Sequence, residues 1–244
     1  MNNNLIEKHA KSFYWASFFL SKEIFNKCSS LYNFCRTLDD LVDNDNKLDI
    51  KKEKFLKFKK DFTSKNFNNP IIKEMWSIIK SENISQNVVI DLFDGVETDL
   101  EEKVHIKSKK DLLVYSYRVA GSVGLMMSKI LKVKNKEAHR GAIDLGIAMQ
   151  LTNIARDVNE DKKRERKYIN QDFSSIQKTI KESEIFYQKS FNSISSIPLR
   201  SRFSVIVARR VYKKIGDYIL KTRNIENYNK AGKVYVPIFG KIIE

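Results

Sequence analysis

Glycine and proline are scarce in this chain, with 8 and 3 among 244 residues. Positions that need a positive φ or a proline-fixed turn are therefore few. Long stretches of Lys, Glu, Leu, Ile, Ser and Asn favour helices joined by short loops over a strand-rich fold. Cysteine is scarcer still: Cys28 and Cys35 are the only two. Seven residues apart, they fall two turns along one helical face and suit small apolar core positions in a reducing cytosol, not a disulfide framework. No run of 18 or more apolar residues occurs, which argues against a membrane-spanning helix. Residues Met1 to Lys8 lack the apolar stretch of a signal peptide, so the expected compartment is the cytoplasm. Acidic residues are in deficit, 30 against 45 basic, for a formal charge of +15. Such an excess attracts polyanions, whether nucleic acid, anionic lipid or phosphorylated substrates, without choosing among them. Runs such as Lys51-Lys52-Glu53-Lys54 and Lys162-Lys163-Arg164 read equally well as solvated surface. The length suits one domain over residues 1–244 with a substantial core. No glycine-rich dinucleotide fingerprint is present, and no nicotinamide cofactor is expected.

Against this background two acidic stripes of one design stand out. Tyr32-Asn33-Phe34-Cys35-Arg36-Thr37-Leu38-Asp39-Asp40-Leu41-Val42-Asp43 and Gln150-Leu151-Thr152-Asn153-Ile154-Ala155-Arg156-Asp157-Val158-Asn159-Glu160-Asp161 each carry a DxxxD. On a helix, i and i+4 are surface neighbours, so each pair can present two carboxylates to one cation. Tyr32, Arg36, Asp39 and Asp43, and likewise Gln150, Asn153, Asp157 and Asp161, recur at the helical spacing that core residues normally occupy. One such motif would pass for a solvated face. Two, both flanked by apolar residues, the second by Ile147, Leu151, Ile154 and Val158, point to carboxylates lining an internal cavity. Inward charges of one sign are costly without a cation, and an all-oxygen ligand set suits magnesium.

The periodicity predicts a first motif helix over Lys22–Asn44 and an amphipathic helix marked by Phe55, Phe58 and Phe62. Further helices are expected over Pro70–Ser81, Ser85–Glu102 and from Asp111 through Tyr115, Gly121 and Gly124. The small residues of that last helix either allow close contact or leave open space. A second motif helix over Lys136–Asp161 leads through a charged loop, Lys162–Gln171, to two long helices broken near Pro198 and Asn224. Asp40 is expected to point away from the Asp39/Asp43 face.

At these residues the chain resembles the squalene and phytoene synthase family, the head-to-head prenyl transferases, over nearly its whole length. Tyr32–Asp43 is similar to the family's tyrosine, aromatic, cysteine and arginine followed by DDxxD-like acids, and Gln150–Asp161 to its QLTNIxRDVxED. Arg166-Lys167-Tyr168 resembles the arginine and tyrosine of a flap. His9, Lys11, Ser12 and Phe13 resemble an HSxSF-type entry segment in which Ala10 replaces the first serine. Tyr115 with Val119–Gly124 resembles the helix bordering the pocket, and Tyr228 a C-terminal tyrosine near a diphosphate. The resemblance implies an all-α, isoprenoid-synthase-type bundle around a central cavity. It implies Asp39, Asp43, Asn153, Asp157 and Asp161 as ligands of Mg2+, with Mn2+ as a substitute. The catalytic set it implies is Asp39, Asp43, Asp157, Asp161, Tyr32 and Arg36. The substrate-binding set is His9, Lys11, Ser12, Tyr32, Arg36, Tyr115, Gln150, Asn153, Arg156, Arg166 and Tyr228.

The implied reaction is head-to-head condensation of two geranylgeranyl diphosphates to phytoene through prephytoene diphosphate. Farnesyl-using synthesis of squalene, presqualene diphosphate or dehydrosqualene is the alternative, and a non-catalytic assembly factor is the reading from another class. Departure of a diphosphate requires positive charge on the leaving oxygens, which the acids with their metal, Arg36 and Arg156 suit. Inward carboxylates repel nucleic-acid phosphate, so no nucleic-acid partner is expected. Apolar substrates and a basic surface lead instead to a cytoplasmic protein peripherally associated with the anionic inner face of the membrane. Ser17 and Ser29, both small, are expected beside the tail tunnel, where they leave room for the longer substrate.

Overall fold

The structure, a computed structural model, describes residues 20–236. Its first helix, α1 (Lys22–Asp43), starts where the Ser21 side chain accepts from the Ile24 amide and ends within a residue of the expected boundary. Leu31, Phe34, Leu38 and Val42 form its buried stripe. They pack on α2 (Leu48–Thr63), which buries Phe55, Phe58 and Phe62 as their spacing predicts. In α3 (Pro70–Ser81) Asn69 caps the amides of Ile71 and Ile72, and Pro70 takes the first turn, where its missing N–H costs nothing. With α4 (Gln86–Glu97) these helices enclose an aromatic cluster. Phe62 lies 5.5 Å from Phe34, 5.2 Å from Phe93 and 5.3 Å from Trp76, centroid to centroid. That cluster anchors α1 from behind and leaves its acidic face free to look elsewhere.

The expected helix to Glu102 stops at Glu97. The chain tightens through a short turn at Thr98–Leu100 and enters a two-residue strand, β1 (Val104–His105). Helix α5 (Lys109–Ser116) begins two residues before Asp111, because Ser108 caps the Asp111 amide. It widens into a π turn, Tyr117–Gly121, and continues as α6 (Ser122–Ile130). The glycines here serve close contact. A Cβ on Gly124 would sit 2.2 Å from the Ala142 carbonyl oxygen, and one on Gly146 2.3 Å from that of Ala120. The π turn and α6 therefore press directly against α7 (Lys136–Arg156).

α7 ends at Arg156, short of the expected Asp161. Asp157 leaves the helical region (φ −104°, ψ 13°), and a short α8 (Val158–Lys163) resumes after it. The cause is remote in sequence: the Tyr228 hydroxyl donates to the carbonyl oxygens of Ala155 and Arg156, at 3.0 and 2.7 Å. The charged segment after α8 holds a second strand, β2 (Arg166–Lys167), paired in parallel with β1, with Val104 opposite Arg166. Then α9 (Phe173–Phe191) runs back along α7, followed by α10 (Leu199–Lys221) and α11 (Ile225–Ala231), which carries Tyr228. Cys28 is buried with Sγ 3.4 Å from Met127 Sδ, and Cys35 is half-buried; both are free thiols, as expected. Among the described residues, no helix is long and apolar enough to cross a membrane.

Candidate active site

α1 packs on α2, α3, α4 and α6, whereas α7 packs on the π turn, α6, α9 and α10. The two acidic helices thus face each other across space. A cavity of about 620 Å³ opens there, lined by Arg36, Asp39, Asp40 and Asp43 from α1 and by Gln150, Asn153, Arg156, Asp157 and Asp161 from α7 and α8. Arg164, Arg166 and Tyr168 close one side, with Asp99, Tyr115, Glu160 and Lys233 completing the wall.

Most acids in this cavity have a cation. Arg156 grips Asp157 with both arms of its fork, Nε at 2.8 Å and Nη2 at 2.6 Å. Lys233 adds contacts of 3.4 Å to Asp157 and 2.6 Å to Glu160. Asp43 is held by Arg166 at 2.8 Å and by Arg164. Asp40, expected to point away from the Asp39/Asp43 face, lines the same cavity and pairs with Arg36 at 2.6 Å one turn back on α1. Asp99 accepts from the hydroxyls of Tyr115 (2.9 Å) and Tyr168, whose rings stack 4.8 Å apart.

Asp39 and Asp161 have no ion-pair partner among the described residues. Loss of bulk water, then the charge of Asp43, raises the Asp39 carboxyl from 3.8 to about 7, with Arg36 opposing. The Asp39 side chain is exposed to the solvent of the cavity, which moderates the effect of the protein packed around it. Burial and the charge of Asp157 likewise raise Asp161 to about 7. Burial also raises Asp99, against the pull of Arg166 and the two tyrosine hydroxyls.

Among the described residues, no three carboxylate, histidine or cysteine side chains converge on one metal position. The donor set nevertheless fits a hard cation. Asn153 has a buried amide oxygen with no hydrogen-bond partner, and it lines the same cavity as two carboxyls that have no ion pair, Asp39 and Asp161. Oxygen donors of this kind, left unsatisfied, are what a divalent ion would complete.

The structure brings Arg36, Asp39, Asp43, Tyr115, Gln150, Asn153, Arg156, Asp157, Asp161 and Arg166 to one cavity. Tyr32 sits half-buried on the same side of α1, and its hydroxyl is raised by burial. His9, Lys11 and Ser12, with Phe13 and Ser17, lie outside the described residues. Tyr228 requires correction. Its hydroxyl is spent on the last carbonyls of α7, so it sets the break that aims Asp157 and does not itself face the cavity. Arg166 is no solvated flap residue: it is buried, and Asp99 and Asp43 hold its proton against the cost of burial. Arg164, in a run that reads as surface, reaches Asp43. Asp99 and Lys233 carried no sequence signal, being single charges outside any pair.

Comparison with known proteins agrees with this geometry. The family model for squalene/phytoene synthase matches residues 6–185. The 15-cis-phytoene synthase of Pantoea ananas is 28% identical over 88% of this chain and 83% of its own length. The phytoene synthase of Cereibacter sphaeroides is 27% identical over 89% of the chain and 70% of its own, and against phytoene synthase 1 of Zea mays the chain spans 63% of the relative's length at 27% identity. A crystal structure of a dehydrosqualene synthase in complex with ligand superposes with a TM-score of 0.77 at 27% identity, covering 98% of this chain and 90% of that one. Squalene synthase HpnC from Alicyclobacillus acidocaldarius shares the fold at a TM-score of 0.73 and 18% identity, over 92% of each chain. With an all-α isoprenoid-synthase-type bundle and both acidic motifs on one cavity, the chain belongs to the squalene/phytoene synthase family of prenyltransferase enzymes.

Proposed function

We propose that this chain, acting as one catalytic unit over residues 1–244, condenses two geranylgeranyl diphosphates head to head. The product is phytoene, formed through the cyclopropyl intermediate prephytoene diphosphate. The observation that carries the reading is the shared cavity, in which both acidic stripes and five cations meet. The phytoene synthases among its relatives support the choice of substrate.

The chain's own residues act as exchangeable partners. In the ligand-free site Arg156, Arg36, Arg164 and Arg166 hold carboxylates. An arriving diphosphate competes for the same guanidinium forks, which suit phosphate oxygens in the same two-pronged way. As the arginines turn to phosphate, Asp43 and Asp157 are released to join Asp39, Asn153 and Asp161, the residues that would hold magnesium. A divalent cation, when bound there, supplies the positive charge that a leaving diphosphate requires. Tyr115 and Tyr168, locked on Asp99, brace the wall that keeps Arg166 in place. An apolar channel for prenyl tails, running behind the acids past half-buried Cys35 and Tyr212, belongs to the same proposal. Such a channel keeps water from the allylic cation.

Incubation of purified protein with geranylgeranyl or farnesyl diphosphate and magnesium, followed by product analysis, tests the reading. Phytoene from the longer substrate is the expected result. Preferential use of farnesyl diphosphate would favour the second reading, which the likeness to a dehydrosqualene synthase supports. Absence of product from either would return the assembly-factor alternative. Peripheral, salt-reversible association with anionic membranes, retained from the chain's charge, belongs to the same proposal.

A further inference from the structure

The first half of α10 is amphipathic in the wrong sense for a water-facing helix. Its protein-facing positions are small and polar or nearly so: Ser201 is 1%, Ser204 8% and Ala208 4% exposed. Its outward positions are large and apolar, with Leu199 76% and Phe203 50% exposed. Phe191, at the end of α9, is 55% exposed, and its ring lies 4.8 Å from the guanidinium of Arg209, further along α10. Scattered apolar residues on a surface mean little, but a helix that buries its serines and presents its leucine and phenylalanine outward has a face made for something other than water.

Charge says what that something is. From Ile185 to Gly216 the chain carries Lys189, Arg200, Arg202, Arg209, Arg210, Lys213 and Lys214, and not one Asp or Glu. Lys213 pairs with Glu184 of α9 at 2.6 Å, but the cations still outnumber the carboxylates there, and apolar side chains set among an excess of cations are complementary to an anionic lipid surface, where the rings enter the headgroup boundary and the cations meet phosphate.

The position in the fold agrees. The junction of α9 and α10 packs at the start of α7, where a Cβ on Gly141 would meet Ser193 at 2.4 Å. Asp157 is sixteen residues further on, about 24 Å along the helix axis at ~1.5 Å per residue. The tip is thus the end of the bundle remote from the acids. Ile197 and Val205, flanking the exposed face, pack with Ile24 of α1 and Met127 of α6 against the core that contains the aromatic cluster of α1–α4. The apolar interior leads to this end.

We infer that the outward face of Leu199 and Phe203, with Phe191 and the surrounding arginines and lysines, docks on anionic membrane and sets the tail end of the bundle against the bilayer. This rests on the peripheral association proposed above and names the surface responsible. The test is flotation of the full-length protein with vesicles of phosphatidylglycerol and phosphatidylcholine, or of phosphatidylcholine alone. The double variant Leu199→Glu/Phe203→Glu should lose binding to the anionic vesicles by at least about tenfold, since two apolar contacts are replaced by charges of the repelled sign. Leu56→Glu, an equally exposed apolar residue on α2, should bind as wild type does. In Leu199→Trp, emission in excess of wild type should shift to the blue on anionic vesicles and be quenched by lipids brominated in the acyl chain. Equal binding by wild type and the double variant, with no quenching, would overturn this face while leaving membrane association standing. No binding by wild type would overturn both. Salt-sensitive retention on duplex DNA with no vesicle binding would assign the face to a nucleic-acid backbone and also refute the proposal.

Discussion

Asp39→Asn should make the ligand-free protein more stable and the enzyme at least about a hundredfold slower, the scale of losing a principal electrostatic stabiliser. The stability gain follows from the missing partner. Burial and then Asp43 raise the Asp39 carboxyl from 3.8 to about 7, so the folded protein pays to ionise it. About three pH units nominally correspond to roughly 4 kcal/mol. Because this carboxylate opens onto cavity solvent, screening leaves about 1–2 kcal/mol. A carboxyl raised in the folded state binds its proton more tightly there than in the unfolded chain. Its cost is therefore absent below about pH 4, grows between about pH 4 and 7, and is complete above about pH 7. Asparagine does not ionise. The variant's Tm should stand about 2–6 °C above wild type at pH 8 and converge with it towards pH 4. Thermal denaturation followed by circular dichroism across that range, with turnover measured on the same preparations, gives both readouts. A Tm difference flat in pH would refute the claim of an uncompensated carboxyl, and near-normal turnover would refute its role in the reaction.

Arg166→Gln leaves Asp43 and Asp99 without their buried cation and should cost about 3 kcal/mol, read from the urea midpoint; an unchanged midpoint would deny that this arginine holds the wall. Tyr228→Phe removes the hydroxyl from the Ala155 and Arg156 carbonyls, for a loss of about 1 kcal/mol. Turnover should fall with it as the Asp157 junction relaxes, and wild-type values for both would mean that other contacts set the break. Ser29, whose buried Oγ has no partner, lies on the Tyr32–Arg36 side of α1. Ser29→Phe should move competition from geranylgeranyl towards farnesyl diphosphate, since overfilling costs roughly 1–3 kcal/mol; an unaltered product ratio would remove Ser29 from the tail channel.

What the sequence made legible was local. The stripe of Tyr32, Arg36, Asp39 and Asp43 could be read because one uninterrupted helix carries it, and α1 falls within a residue of its expected bounds. The second stripe obeys the same periodicity, yet α7 breaks inside it, because the hydroxyl that takes its final carbonyls belongs to Tyr228, some seventy residues away. Pattern within a helix holds no trace of such a contact. Arg164 was hidden for a different reason. Between Lys163 and Glu165 it looks like solvated surface, and only the pairing of β1 with β2 brings its segment over Asp43. Asp99 has no acidic neighbour at helical spacing, and its importance arises from two tyrosines that converge from α5 and from the segment after β2.

The cavity and the protein have opposite signs, and this bears on how substrate enters. The whole chain carries +15. The cavity is lined by seven carboxylates against five arginines and lysines. The five cations are all engaged, on Asp40, Asp43, Asp157 and Glu160, and the carboxyls left without an ion pair among the described residues, Asp39, Asp99 and Asp161, are the ones that burial raises. The site thus has more carboxyls than cations before any substrate arrives, and a prenyl diphosphate, on the proposed function, brings further negative charge. Cation and diphosphate must therefore bind with strong mutual dependence, each raising the affinity for the other by the same factor. The basic exterior draws the anion towards the protein, while the acidic interior refuses it unless the counter-charge comes too. Under the proposed function, a polyphosphate without such ions would gain the outside and not the site, and a chain attractive to anions in general would thereby select a metal-bound diphosphate in particular.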